Sequence, residues 1–147
     1  MKKTAFITGA TSGIGKATAQ LLAKNNFQLI VCGRRKEKLN ELVEELKTDT
    51  KIFSLQFDVS KKEEVTKAIS ALPDEFQKID VLINNAGNAH GLNSIQDGSL
   101  DDWDAMIDSN LKGLLYVSRA IIPKMVAQNN GFIVNIGSIA AKDVYAN

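Results

Sequence analysis

Thr8-Gly9-Ala10-Thr11-Ser12-Gly13-Ile14-Gly15 sets three glycines between a short apolar run and an amphipathic one, where a backbone turn can hold an anion. Gly9 can take the tight conformation that ends a strand, and Gly13 removes a Cβ that would keep a pyrophosphate off the main chain. Gly15 lets the following helix settle close on a sheet. The unpaired N–H groups and positive dipole end of that helix then point at the anion. The spacing is G-x-x-x-G-x-G, not G-x-G-x-x-G. Taken alone, the stretch also reads as a plain strand-to-helix turn.

A second candidate is Gly33-Arg34-Arg35, whose arginines stand 19 and 20 residues past Gly15. A dinucleotide with a free adenosine ribose wants an acid near there to accept from its hydroxyl, whereas a 2′-phosphate wants a guanidinium fork. No acid occurs until Glu37. Two arginines at a helix start also meet partial charge of their own sign, which a bound phosphate relieves. The expected cofactor is therefore NADP, with Arg34 favoured over Arg35. The alternative is a solvated basic first turn.

These groups need a scaffold, and 147 residues make one domain with room for a real core. With 18 basic and 17 acidic side chains the net charge is +1, which gives no sign of a nucleic-acid surface or a polybasic membrane patch. The expected partner is a small molecule. The single cysteine, Cys32, excludes an internal disulfide, fits a reducing compartment and reads as a buried structural thiol. Met1-Lys2-Lys3 is followed by too short an apolar run for a signal peptide, so a cytoplasmic protein is expected.

Helical and apolar-strand patterns alternate along the chain with no linker or internal repeat, as parallel strands joined by crossover helices require. Strands are expected at about 4–8, 28–32, 51–57, 81–83 and 132–136. Helix one, about 13–24, should present Ile14, Ala17, Leu21 and Leu22 on one face, and helix two spans about 35–47. Ser60 with Glu63 forms a capping box for helix three, which Pro73 closes. Ser99 with Asp101 and Asp102 caps a long helix reaching about residue 127. The apolar residues of that helix spread over more than one stripe, which suggests a subunit interface as well as a core face.

The glycine triplet, Asp58 after strand three, Asn84-Asn85-Ala86-Gly87 after strand four, Asn110 in the long helix and Ser138 after strand five follow one another in a characteristic order. Together they resemble the short-chain dehydrogenase/reductase family over essentially the whole chain. The likeness is strongest to its branch of NADP-dependent 3-hydroxy acid and serine or allo-threonine dehydrogenases, through 84–91, 101–113 and 135–140. It implies a Rossmann-like doubly wound parallel sheet of order 3-2-1-4-5 in three α/β/α layers, as a single domain over 1–147. The implied cofactor-binding residues are Gly9, Thr11, Ser12, Gly13, Ile14, Gly15, Arg34, Arg35, Asp58, Val59, Asn85, Ala86 and Gly87.

The resemblance makes Ser138 the catalytic serine, whose hydroxyl would bond the substrate oxygen. Asn110 becomes the asparagine that holds a relay water through the helix backbone. Plainer readings are that Asp58 only caps helix three and that Asn110 is a buried amide paired with a neighbouring turn. His90 reads as solvated, Trp103 as helix packing, and no metal-ligand cluster is visible.

The family's Y-x-x-x-K pair is expected beyond this stretch, since Tyr145 follows Ser138 too closely and no lysine stands four residues on. Right-handed crossovers would also leave one face of strands four and five uncovered, as in the amino-terminal part of a longer chain. The expected activity is NADP-dependent hydride transfer to or from a small carbonyl or secondary alcohol, in a homodimer or homotetramer. The alternative is a non-catalytic NADP-binding module, and a methyltransferase-like domain is a weaker third reading.

Overall fold

The computed structural model describes residues 2–91 and 93–143. They form a parallel five-stranded sheet of order β3-β2-β1-β4-β5, from β1 (Thr4–Ile7), β2 (Gln28–Gly33), β3 (Ile52–Gln56), β4 (Val81–Asn84) and β5 (Phe132–Asn135). The order reverses between β3 and β4, so the carboxyl ends of β1 and β4 face each other across a crevice, the usual ligand position in open α/β sheets. β1 is central and buried throughout, with Ala5 beside Leu29 on one side and Val81 on the other.

Two cores cover the two faces of the sheet. Ala5, Ile7, Leu29, Val31 and Ile83 pack against α1 (Gly13–Lys24) and α2 (Lys36–Leu46). Phe6, Ile30, Cys32 and Leu82 pack against α3 (Lys62–Ser70) and α5 (Leu114–Ala127). Burying each large aliphatic or aromatic side chain is worth about 1.5–3 kcal/mol, and alternation along β1 directs successive residues to opposite cores. As the alternating pattern requires, Phe53 and Leu55 of edge strand β3 turn toward the α3/α5 side and Ile52 toward the other. β5 is the outer strand opposite β3; its Phe132 and Ile133 are exposed.

Three local expectations need correction. The sheet-facing side of α1 is Gly15, Ala19 and Ala23, with Leu22 half-buried, whereas Ile14 and Leu21 are more than 60% exposed (61% and 62%). A Cβ on Gly15 would collide with the Gly9 carbonyl oxygen, so the helix lies too near the sheet for large side chains to fit between them. The Ser60–Glu63 capping box does not form. Ser60 instead donates from N and Oγ to Asp58 Oδ1 at 2.9 and 2.8 Å, because a carboxylate is the stronger acceptor, and α3 starts one residue beyond Lys61.

The long helix is one run of three parts. α4 (Leu100–Met106) is capped as expected, with Ser99 Oγ accepting from Asp102 N. A π-helical segment (Ile107–Gly113) follows, then α5, which continues through Pro123. Helical periodicity in the sequence carries no mark of the π turn. No helix among the described residues is long and apolar enough to cross a membrane.

Candidate functional site

The glycine turn is built against the end of β4. Thr8 Oγ1, inside the core, accepts from the N–H groups of Asn85 and Ala86, both at 2.9 Å. Asn85 Nδ2 donates back to the carbonyls of Thr8 and Gly9 at 2.9 and 3.1 Å. Gly9 has φ +63°, and a Cβ there would lie 2.8 Å from Ala86 Cα, so both its conformation and its closeness to β4 require glycine. Gly13 also has positive φ, +52°, yet the space around its missing Cβ is open for 4 Å.

That space suits an anion. α1 carries no acid in its first turn, and the Ser12 side chain makes no cap bond, so the N-terminal dipole is uncompensated from within the helix. Arg35 Nη2 donates to Thr11 Oγ1 at 3.0 Å and to Ser12 Oγ at 3.2 Å, adding positive charge beside the turn. Arg34 Nη1 stands 3.7 Å from Asp58 Oδ2, with Arg34 largely in solvent. The two guanidinium groups and the helix start thus offer fixed donors to phosphate, as a dinucleotide with an additional ribose phosphate requires.

Behind this wall Cys32 is fully buried, and burial pushes its thiol up to about 12 against a small opposing effect of the Gly9 backbone. It is a packing group, as its apolar neighbours in β2 suggest.

The opposite wall comes from the π segment and the end of β5. Asn110 holds Asn88 at two points: its Oδ1 accepts from Asn88 N at 2.8 Å and its Nδ2 donates to Asn88 O at 2.7 Å. The side-chain amide is therefore used in pairing with the turn, one of the two readings the sequence left open, although at an exposed position rather than a buried one. Ser109 Oγ donates to the same Oδ1. Gly113, at the end of the π segment, lets Val59 approach, since a Cβ would lie 2.8 Å from Val59 Cγ2. Ser138 caps a short 3-10 turn (Ile139–Ala141), its Oγ accepting from Ala140 N at 3.1 Å, and is exposed.

One cavity of about 810 Å³ joins these walls. Of the sequence-predicted site residues, Gly9, Thr11, Ser12, Ile14, Arg34, Arg35, Asp58, Val59, Asn85, Ala86, Gly87, Asn110 and Ser138 line it. Gly13 and Gly15 do not; Gly15 lies beneath the turn. The size falls within the range of small-molecule and cofactor sites, about 300–1,000 Å³. His90 and Trp103 border a separate cavity of about 240 Å³, and Tyr145 lies outside the described residues.

Sequence reasoning singled out neither Asn88 nor Asn135 as a lining residue, and it named Gly33 and Asn84 only within the Gly33–Arg35 and Asn84–Gly87 stretches. Gly33 had a signal, since it ends a strand: a Cβ there would lie 2.8 Å from Thr11 Cγ2. Asn88 had none, being one polar residue in a polar loop.

A family model described as short chain dehydrogenase matches residues 3–147. The chain belongs to the short-chain dehydrogenase family. Among other family members, it is 41% identical over 141 residues to NADP-dependent 3-hydroxy acid dehydrogenase YdfG of Escherichia coli (strain K12), covering 96% of this chain and 56% of that protein. Serine 3-dehydrogenase of Agrobacterium fabrum (strain C58 / ATCC 33970) is 41% identical over 145 residues, covering 99% and 57%.

The closed form of a serine dehydrogenase complexed with NADP+ superposes with a TM-score of 0.91 at 40% identity, covering 97% of this short-chain dehydrogenase chain and 57% of that one. The chain spans little more than half the length of the relatives it matches.

Proposed function

We propose that the protein is an NADP-dependent oxidoreductase acting on the carbonyl or secondary alcohol of a small 3-hydroxy acid or β-hydroxy amino acid. The observation that carries this reading is that one cavity places the glycine turn and the arginine pair along one wall and Ser138 at the other. Its support from other proteins is the likeness to relatives named as NADP-dependent 3-hydroxy acid and serine dehydrogenases.

When bound, the nicotinamide supplies or accepts the hydride. The chain's own residues bind and orient. The N–H groups at the start of α1 hold the pyrophosphate, with Arg34 and Arg35 at the 2′-phosphate. Asp58 and Val59 take the adenine edge, and the 85–87 turn forms the floor. Ser138 Oγ donates a hydrogen bond to the substrate oxygen and stabilises charge that develops there. Asn110 holds Asn88 and so the wall facing Ser138, and its backbone carries a relay water.

The exposed Leu111, Leu115, Ile122 and Val126, at helical spacing on the π segment and α5, support a second copy docking there in a dimer or tetramer. The unpaired, buried Cys32 supports a cytoplasmic setting. The test is a titration with NADPH and NADH by nicotinamide fluorescence, followed by absorbance assays with NADP+ and a panel of 3-hydroxy acids and serine. NADPH should bind far more tightly than NADH, and a hydroxy acid should be oxidised. Equal affinities would refute the cofactor assignment, and binding without turnover would leave the module reading.

A further inference from the structure

Asn84 is 4% exposed at the end of β4, inside a sheet where an aliphatic side chain would be cheaper to bury. Its Nδ2 donates twice, to Ser118 Oγ on α5 at 3.0 Å and to Asn135 Oδ1 on β5 at 2.9 Å. Its Oδ1 is buried and has no hydrogen-bond partner among the described residues. An amide kept in the core at that cost needs a reason beyond packing.

The position supplies one. β5 is an outer strand with a neighbour on one side only, and the backbone bond from Ile136 N to Asn84 O is the last rung before the Ser138 turn. The Asn84–Asn135 bond adds a side-chain rung at the same level, where the two residues stand in register. The Ser118 bond ties this rung to α5, which runs on directly from the π segment carrying Asn110. One amide thus fixes the strand end that delivers Ser138 to the helix that delivers Asn110.

Resting on the role proposed above for Ser138, we propose that Asn84 is a positioning residue, which sets Ser138 against the Asn110 wall through its two bonds to Ser118 and Asn135. Neither bond reaches the arginine pair or the start of α1, so the two bonds bear on turnover more than on dinucleotide affinity. Displacement of a reacting group by about 1 Å can cost on the order of a hundredfold in rate, so the effect belongs in kcat.

The experiment compares Asn84→Leu, Asn135→Leu, their double variant and the milder Ser118→Ala, which removes one bond with little change in volume. Turnover, NADPH dissociation constant and amide hydrogen exchange are measured on each. For Asn84→Leu the expected result is a fall in kcat of at least about tenfold, and NADPH affinity should stay within about twofold of the parent in Ser118→Ala, whose residue does not line the cavity. The double variant should be no slower than the worse single one, because both break the same bond. Ser118→Ala should shift kcat in the same direction by less, and it serves if Asn84→Leu does not fold.

Exchange at Ile136, whose N–H is bonded to Asn84 O, should quicken while exchange at Ala19 inside α1 stays unchanged, a readout that does not need turnover. Parent protein that fails to turn over any substrate would count against the proposed activity, and the exchange pattern would still decide the role of Asn84. Multiplicative rate effects, a loss of NADPH affinity in Ser118→Ala equal to its loss in kcat, or unchanged exchange at Ile136 would overturn the assignment.

Discussion

Replacing Gly13 or Gly15 with alanine should produce opposite phenotypes, although the two glycines are two residues apart. On Gly15 the added methyl meets Asn85 Nδ2 and the Gly9 carbonyl oxygen, with Gly9 C at 3.0 Å. Most of these are backbone atoms that cannot swing aside, and overpacking of that kind costs about 1–3 kcal/mol. If Asn85 turns away, its bonds to Thr8 O and Gly9 O are lost at about 0.5–1.5 kcal/mol each. A destabilisation of about 3 kcal/mol follows, or about 6–12 °C in melting temperature for a chain of this size.

On Gly13 the methyl meets nothing within 4 Å, and the main penalty is the φ of +52°. That strain is worth roughly 1–2 kcal/mol and is partly offset by the lower entropy of the unfolded chain. The new group stands on the turn proposed to hold the pyrophosphate, beside the cavity lining of Thr11, Ser12 and Ile14, so the loss should appear in binding. Removing one or two charge-assisted bonds of about 1.5–3 kcal/mol weakens NADPH by at least about tenfold. Thermal melts without ligand and NADPH titrations on both variants make a two-by-two comparison. Equal melting losses, or unimpaired NADPH binding by Gly13→Ala, would refute the division between a seating glycine and a ligand-facing one.

Arg34→Ala should weaken NADPH by about tenfold or more and leave NADH nearly unchanged, since the role proposed for it is at a phosphate only NADPH has; parallel fluorescence titrations check this. The Cys32 thiol should resist a thiol reagent in native protein and react once urea unfolds it. Because folding raises its pKa from 9.0 to about 12, its contribution to stability is complete below pH 9 and is lost as pH rises toward 12, which urea melts across that window would show. Asp80 takes hydrogens from the buried Thr4 N–H at 2.9 Å and from Asn130 Nδ2 at 3.1 Å. Asp80→Ala should therefore cost about 1–3 kcal/mol in urea denaturation and Asp80→Asn less, because the amide oxygen can still accept from Thr4.

Much of this architecture is legible in the sequence, and the exceptions share a cause. The bounds of α1 follow from Gly13 and Asn25, parallel strands follow from the alternation of elements, and the strand order follows from the family resemblance. The buried face of α1 was misread because Ile14 and Leu21 look like core residues, whereas the distance between helix and sheet, set by Gly15, selects alanine. The Ser60 cap was misread because Asp58 competes for the same hydroxyl. The π segment leaves the apolar repeat intact, so nothing in the periodicity announces it.

The glycine turn, the arginine pair, Asn110 and Ser138 were visible as unusual residues at fixed places. Asn84 was visible only as the first residue of its motif and Asn135 not at all, because the significance of both lies in a pairing across strands that only the register of β4 and β5 reveals.

The reversal of strand order between β3 and β4 also bears on how the chain acquires its nucleotide. A ribosome that has emitted only the first 60 residues has made the glycine turn, but the Asn85 and Ala86 buttress behind it does not yet exist. A coenzyme seated on the finished turn would favour the docking of β4 beside β1, acting as a late clasp on a sheet whose centre was laid down first.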